Sequence, residues 1–211
     1  LTQLEREHKV IVVTSSTPGE GKTTTSANLA MSLAQMGKVL LIDADLRKPS
    51  IAKRFDIPVF HPGLSNLMVG TEQFSECVHV DGQSGVAIMP SGQIPSNPLE
   101  LLSNARFNEV LEVLKSKYDH IIIDTPPTQA VSDALVIAQS ADSVIYVVKS
   151  DVTRIKPIKA GIERLFEAKA YIAGIVLNQV DMSKTKGQHT DGYYDYYDYY
   201  DYSQKTDKSK S

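Results

Sequence analysis

The glycine-rich stretch at residues 14–25 limits the fold of this chain more than any other segment. It follows an apolar, β-branched run at residues 10–13 and precedes a stretch in which Leu29, Ala30 and Leu33 share one helical face. Its second half reads Gly-Glu-Gly-Lys-Thr, which matches the end of the Walker A phosphate loop. Such a loop offers backbone N–H groups and a helix start to a polyphosphate. The sequence therefore predicts a strand, a phosphate loop and a helix, in that order.

Each residue type in this loop has a chemical role. Lys22 would reach the β- and γ-phosphates of a nucleotide, and the Thr23 hydroxyl would ligate Mg²⁺. Ser16 departs from the motif because it occupies the position of the first glycine. An ordinary glycine-rich turn is the alternative, and the Lys-Thr pair disfavours it. The predicted nucleotide-binding residues of the loop are Gly19, Glu20, Gly21, Lys22, Thr23 and Thr24.

Strand and helix patterns alternate along the rest of the chain. Apolar runs predict further strands at residues 39–42, 86–89, 121–123, 143–148 and 172–177. Helices are predicted at residues 63–69, 74–78, 132–139 and 155–168, and one from the Asn97 cap to about Lys117. Strands without polar alternation are buried on both faces, and helices between them favour parallel pairing. The expected fold class is α/β, a mostly parallel sheet with helices on both faces.

Three carboxylates stand at the ends of predicted strands, where such sheets bind ligands. Asp43 and Asp45 follow the second strand, and Asp124 follows a later one in the Walker B arrangement, in which an acid holds Mg²⁺. A turn or a helix cap is the alternative for each acid alone. Two acids beside Arg47 near a phosphate site favour a cation, because like charges repel. The predicted metal ligands are Thr23, Asp43 and Asp124, and the predicted catalytic residues are Lys22, Asp43, Asp45 and Asp124.

Composition narrows the range of partners. With 211 residues, of which 42% are hydrophobic, the chain is long enough for one well-buried domain. The formal net charge of −3 and the pI near 6.0 give no basic footprint, so nucleic acid is not expected as a partner. No apolar run reaches about 18 residues, which predicts a soluble, unsecreted chain. Cys77 is the single cysteine, so no internal disulfide forms and a reduced compartment is favoured.

The C-terminal segment is rich in tyrosine and contains no aliphatic residue from 191 to 202. Such a segment cannot pack a core, so we expect a P-loop domain over residues 1–181 and a flexible tail over 182–211. Hydroxyls among carboxylates on a tether suit a tyrosine kinase that modifies itself, whereas an unmodified adhesive segment is the alternative. The candidate phosphoacceptors are Tyr193, Tyr194, Tyr196, Tyr197, Tyr199, Tyr200 and Tyr202.

These motifs together resemble the cytoplasmic catalytic domain of bacterial tyrosine kinases, which are associated with capsule and exopolysaccharide synthesis. The resemblance rests on the phosphate loop, on residues 41–49, on Ser91-Gly92 with residues 95–102, and on residues 123–127, and it extends from about residue 9 to 181. It implies a P-loop NTPase-type fold, ATP and Mg²⁺ as cofactors, and autophosphorylation of the tail. The resemblance implies that Lys22 and Thr23 bind phosphate and Mg²⁺, and that Asp43 and Asp45 serve in metal binding and tyrosine deprotonation. It also implies that Asp124 completes the metal site and that Asn178 contacts the adenine.

The resemblance also implies partners. These are a transmembrane activator of the chain-length-regulator type, a cognate tyrosine phosphatase, and further copies of the chain joined by contacts between tails and sites. It implies a cytoplasmic location at the inner face of the membrane, through the activator, and a regulatory role in capsular or exopolysaccharide synthesis and export. About ten residues link Asp181 to the first tail tyrosine, a reach of at most ~35 Å, so the tail could reach its own site by folding back across the sheet end. Presentation to a neighbouring molecule needs no such bend, so phosphorylation in trans is expected.

Three other classes compete with this interpretation. A ParA/MinD-like ATPase switch would carry a signature Lys in the loop, where this chain has Thr17. A P-loop enzyme acting on a small molecule would have no use for the tyrosine tail. A catalytically silent scaffold would leave Lys22 and the three acids without a role. The motifs of eukaryotic kinases, His-Arg-Asp and Asp-Phe-Gly, do not occur.

Overall fold

The computed structural model describes residues 8–181, and these contain a seven-stranded sheet flanked by helices. The chain divides after Val180 into two units, and the structure describes the first from His8 onward but only Asp181 of the second. The strands are β1 Val10–Ser15, β2 Val39–Asp43, β3 His79–Val80, β4 Ala87–Met89, β5 His120–Asp124, β6 Ser143–Lys149 and β7 Ile172–Asn178. The helices are α1 Lys22–Leu33, α2 Ile51–Arg54, α3 Leu64–Val69, α4 Pro98–Leu102, α5 Ala105–Lys115, α6 Asp133–Gln139 and α7 Ile155–Glu167.

The order of the strands brings the predicted site residues together. It runs β3-β4-β2-β5-β1-β6-β7, so β1, which leads into the phosphate loop, lies next to β5, and β5 lies next to β2. These pairs are parallel, and only β3 and β4 are antiparallel to each other. The register places Asp43 at the end of β2 directly opposite Asp124 at the end of β5. The expected α/β fold, mostly parallel, is confirmed.

Both faces of the sheet are covered, which explains the apolar runs without alternation. On one face Val12, Leu40 and Ile123 pack with residues of α4 to α7. On the other face Val13 and Leu41 pack against α1 and α2. Alternate residues of a strand point to opposite faces, so a strand between two helical layers needs an apolar residue at every position.

One predicted helix is wrong in its extent. The Asn97 cap is confirmed, since its side chain accepts a hydrogen bond from the Glu100 backbone N–H at 3.4 Å, but the helix ends at Leu102. A second helix, α5, then begins after Asn104, whose Oδ1 accepts from the Arg106 N–H at 3.0 Å. Two cap residues in succession therefore produce two helices where the apolar pattern predicted one.

Residues 74–78 do not form the predicted helix either. The Glu76 carboxylate accepts a hydrogen bond from the Gln73 N–H at 2.8 Å, and the chain closes only one turn before it enters β3. The sequence pattern did not predict the short strand β3, which pairs with β4, or the short helix α2. Among the described residues, no helix is both long and apolar enough to cross a membrane.

Candidate active site

The phosphate loop has the backbone geometry that its sequence predicts. Gly21 precedes α1 with φ at +93°, and Gly19 has φ at +83°, a region that residues with a side chain rarely adopt. The first intrahelical hydrogen bond runs from the Thr25 N–H to the Gly21 carbonyl at 2.9 Å. The N–H groups of Lys22 to Thr24 come before that bond, so they are oriented towards a ligand at the helix start.

Asp124 is tied to the first turns of α1 by two hydroxyl groups. Thr23 Oγ1 donates to Asp124 Oδ2 at 2.6 Å, and Ser26 Oγ lies 3.0 Å from Oδ1. Asp124 is buried, and so is Lys22, which is only 9% exposed. Lys22 lies close enough to Asp124 to stabilise the negative charge of its carboxylate. The structure thus unites Lys22, Thr23 and Asp124. Ser26, which sequence reasoning missed, stands four residues after Lys22 on the same helical face, and that spacing was the available signal.

The loop that follows β2 holds Asp43 and Asp45 by backbone hydrogen bonds. Asp43 Oδ2 accepts from the N–H groups of Ser50 and Ile51 at 3.0 and 2.9 Å, at the start of α2. Asp45 Oδ1 accepts from the Lys48 N–H at 3.0 Å. Ser50 Oγ also lies 3.1 Å from Thr23 Oγ1, so α2 contacts the phosphate loop. Ser50 was not predicted, because nothing in its local pattern marks it.

Burial raises the pKa of all three carboxyl groups. The pKa of Asp43 rises to about 7, first because of burial and then because of the Asp124 charge opposite it. Burial raises the pKa of Asp124 to about 6, although the hydrogen bond from Thr23 and the charge of Lys22 act against it. Burial also raises the pKa of Asp45. A cation near these oxygens would favour their ionised forms.

The donor set fits Mg²⁺ bound with a nucleotide. Residues 8–181 contain no group of three or more His, Cys, Asp or Glu side chains arranged to hold a metal ion. The three acids are therefore not an all-protein metal cage. Mg²⁺ at phosphate sites commonly uses one or two protein oxygens, with phosphate oxygens and water completing the shell. The Thr23 hydroxyl and the buried pair Asp124 and Asp43 offer hard oxygen donors of that kind, and they could hold Mg²⁺ together with a nucleotide.

Glu20 and Asn178 support the loop from behind. The Glu20 carboxylate accepts from the Thr17 N–H at 2.6 Å and from Thr153 Oγ1 at 2.5 Å, so its charge is engaged within the protein. Asn178 Nδ2 donates to the Glu20 carbonyl at 2.9 Å, and a Cβ at Gly21 would collide with that same nitrogen. Among the loop residues predicted to bind nucleotide, Thr24 is exposed and Thr23 half-buried.

An ion pair that the sequence did not reveal fixes the loop carrying Asp45. Arg47 Nε donates to Asp133 Oδ2 at 2.8 Å, and a terminal guanidinium nitrogen donates to Oδ1 at 3.1 Å. Asp133, the first residue of α6, is fully buried, whereas the Arg47 side chain is 40% exposed. The two residues are far apart in sequence, so only the fold brings them together.

Comparisons with known proteins agree with this site. The model of a family described as an AAA domain matches residues 8–173. Tyrosine-protein kinase CpsD of Streptococcus agalactiae serotype III (strain NEM316) is 38% identical over 179 residues, which are 84% of this chain and 77% of that protein. The chain belongs to the bacterial tyrosine kinase family. It is therefore a protein-tyrosine kinase of the P-loop type, as its motifs predicted.

Solved structures support the same family. The kinase domain of VpsO is 48% identical with a TM-score of 0.81, and the match covers 86% of this chain and 89% of that one. The septum site-determining protein MinD of Pyrococcus horikoshii OT3, complexed with Mg-ADP, is 26% identical with a TM-score of 0.68, covering 80% and 69%. MinD shares the fold, and it fits only the alternative interpretation as an ATPase switch. The family is nucleotide-binding. The seven tail tyrosines lie outside the described residues.

Proposed function

We propose that this chain transfers the γ-phosphoryl group of ATP, in the presence of Mg²⁺, to tyrosines of its own C-terminal cluster. The observation that carries the proposal is the convergence of Lys22, Thr23, Asp124 and Asp43 at the start of α1. The acceptors are the seven tyrosines between residues 193 and 202. The P-loop domain would be residues 1–181, and the tail residues 182–211.

Each residue of the site has one task in this proposal. Lys22 and the N–H groups at the start of α1 hold the phosphates, and Asn178 braces the loop and contacts the adenine. Thr23, Asp43 and Asp124 hold Mg²⁺, which supplies charge neutralisation on the transferred phosphoryl group. Asp45 accepts the proton of the tyrosine hydroxyl as the oxygen bonds to phosphorus and ADP leaves. Its raised pKa makes it a stronger base than an ordinary aspartate.

The family supports wider proposals. We infer that the kinase works at the inner face of the membrane with a transmembrane activator of the chain-length-regulator type, and that a tyrosine phosphatase reverses its action. The process it regulates is capsular or exopolysaccharide synthesis and export. We further propose that copies of the chain assemble with tails in neighbouring sites, because a linker of about ten residues can present the tail to a neighbour without bending back.

The direct test is incubation with γ-labelled ATP and Mg²⁺, followed by phosphoamino-acid analysis. We expect phosphotyrosine in the wild-type protein, none in a folded Lys22→Met variant, and none without Mg²⁺. The matched control is Lys38→Met, because Lys38 is exposed just before β2, away from the loop. Phosphotyrosine in folded Lys22→Met protein would remove the phosphate loop from the mechanism.

A mixing experiment tests transfer between molecules. The acceptor is Lys22→Met protein with an intact tail, and the enzyme carries Phe at the seven tail tyrosines. Label on the acceptor is expected. An unlabelled acceptor, together with wild-type self-labelling at a rate independent of concentration, would mean that transfer is intramolecular.

A further inference from the structure

We propose that three exposed cations beside the active site, Lys48, Lys53 and Arg54, form a docking surface for the acidic tyrosine tail of another copy of the chain. This inference rests on the proposed function, because it concerns how that tail is selected as the substrate. These three residues are called the basic segment below. The ligand class is an acidic, tyrosine-rich peptide.

The basic segment lies on the element that contacts the catalytic residues. α2 begins where the Ser50 and Ile51 N–H groups bind the Asp43 carboxylate, and Ser50 Oγ lies 3.1 Å from Thr23 Oγ1. α2 ends with Lys53 and Arg54, and the Arg54 guanidinium reaches Thr24 Oγ1 at 3.3 Å. The basic segment therefore lies next to the active site, on the loop and helix that follow Asp45 in sequence.

The cations of this segment are not held in ion pairs within the described part of the chain, although Arg54 lines a pocket that also includes Asp56 and Asp81. Lys48, Lys53 and Arg54 are all exposed, and none forms an ion pair with another residue of 8–181. Arg47 differs, because its charge is taken up by Asp133. Three charges thus remain to attract an anionic partner, in a protein whose net charge is −3.

The tail has the complementary charge and spacing. Residues 191–202 contain four aspartates and no cation. Asp195, Asp198 and Asp201 recur every third residue, about 10 Å apart in an extended chain, with two tyrosines between each pair. Carboxylates would pair with the cations while tyrosine rings offer their faces to the Lys and Arg side chains. Docking of one aspartate would hold an adjacent tyrosine near Asp45.

Kinetics with a separate acceptor measure this contact. The enzyme carries Phe at the seven tail tyrosines, and the acceptor is a synthetic peptide of residues 190–203. Replacing Lys48, Lys53 and Arg54 by Gln should raise the acceptor KM about tenfold, with kcat and the ATP KM within about twofold. The matched control replaces Lys38, Lys117 and Lys169 by Gln; these exposed cations precede β2, β5 and β7, at the amino ends of the strands and away from the carboxyl ends that carry the site. It should leave the acceptor KM within about twofold.

Charge exchange makes the test specific. An enzyme in which Lys48, Lys53 and Arg54 are replaced by Glu should show a much higher KM for the wild-type peptide. Its KM should return most of the way to the wild-type value with a peptide in which Asp195, Asp198 and Asp201 are replaced by Lys. The wild-type KM should also rise with salt, since exposed charges are screened, and the Gln enzyme should lose that dependence. An equal KM in the Gln enzyme and the wild type, or no recovery after charge exchange, would overturn the docking surface.

A binding measurement separates this proposal from the kinase proposal. Fluorescein-labelled peptide 190–203 is titrated with Lys22→Met protein, with and without Gln at the three positions, and anisotropy is followed. Binding weakened about tenfold by the Gln substitutions supports the docking surface even if no phosphotyrosine forms. Binding that the substitutions leave unchanged contradicts it, even if wild-type protein labels its tail.

Discussion

Ser16 and Tyr146, which are 130 residues apart in sequence, share a buried hydrogen bond of 3.0 Å between their hydroxyl oxygens. Thr128 Oγ1 lies 3.3 Å from the same Tyr146 hydroxyl and donates to the Ser15 carbonyl at 3.1 Å. Ser16 is the residue that replaces the first glycine of the phosphate loop. The departure from the motif thus provides an anchor, because the hydroxyl ties the start of the loop to the core of β6.

A double-mutant cycle tests this anchor. Ser16→Ala and Tyr146→Phe should each lower the free energy of unfolding by about 1–2 kcal/mol, because each leaves a buried hydroxyl with one partner fewer. The double variant should lose less free energy of unfolding than the two single variants lose together, and the difference, the coupling energy, should be about 1 kcal/mol. Urea denaturation gives these values. Strict additivity would show that the two hydroxyls do not cooperate.

The stability of the metal-free, nucleotide-free protein should fall as pH rises. The pKa of Asp43 is about 7 in the folded protein and near 3.9 when unfolded, so the folded state binds more protons between these values. From pH 4 to 7 this residue should cost on the order of 3–4 kcal/mol of folding free energy. Asp43→Asn should flatten the profile in urea denaturation with EDTA. The same profile for a variant at the exposed Asp56, Asp56→Asn, is the matched comparison.

Replacing Arg47 alone should destabilise the site more than replacing Arg47 and its ionic partner Asp133 together. Arg47→Gln leaves the Asp133 carboxylate buried without the guanidinium, at a cost of about 1–3 kcal/mol. Arg47→Gln combined with Asp133→Asn should recover part of that loss. Tyrosine phosphorylation should fall further than nucleotide affinity, since the pair holds the loop of Asp45. A loss of nucleotide affinity as large as the loss of activity would contradict that assignment.

Asn178→Ala should weaken the binding of inorganic tripolyphosphate about 3- to 10-fold, because Asn178 Nδ2 bonds the Glu20 carbonyl and the substitution loosens the loop that holds the phosphates. The binding of ATP should weaken by a larger factor, because the proposed adenine contact is lost as well. Isothermal titration of the two ligands measures both losses. An unchanged tripolyphosphate affinity would contradict the bracing role, and equal losses for the two ligands would contradict the adenine contact.

The sequence predicted the layers of this fold and the central members of its site. Apolar strands and the phosphate loop are local patterns, and the rule that ligands bind at strand ends was enough to bring Asp43 and Asp124 together. Two helix boundaries were wrong because the Asn104 cap outweighs an apolar periodicity that continues through it. Apolar periodicity indicates which face of a helix is buried, but it does not indicate at which residue the helix ends.

The supporting contacts could not be predicted for a different reason. Arg47 meets Asp133 and Ser16 meets Tyr146 only after the strands have taken their order in the sheet. Ser16 departs from the loop motif and Arg47 stands beside two acids, but the local sequence does not show which residue each of them meets. Glu20 stays a predicted nucleotide-binding residue through its backbone N–H, and the sequence did not show that its carboxylate accepts hydrogen bonds from Thr17 and Thr153.

The register between β2 and β5 has a consequence for how the site exchanges ions. Asp43 and Asp124 face each other at neighbouring strand ends, and because the pKa of Asp43 is raised to about 7, this site without ligands is partly protonated near neutral pH, where an ordinary aspartate is ionised. A cation that enters must displace that proton. Loading with Mg²⁺ and nucleotide should therefore acidify a weakly buffered solution, and the nucleotide affinity of this kinase should respond to small changes of pH around neutrality.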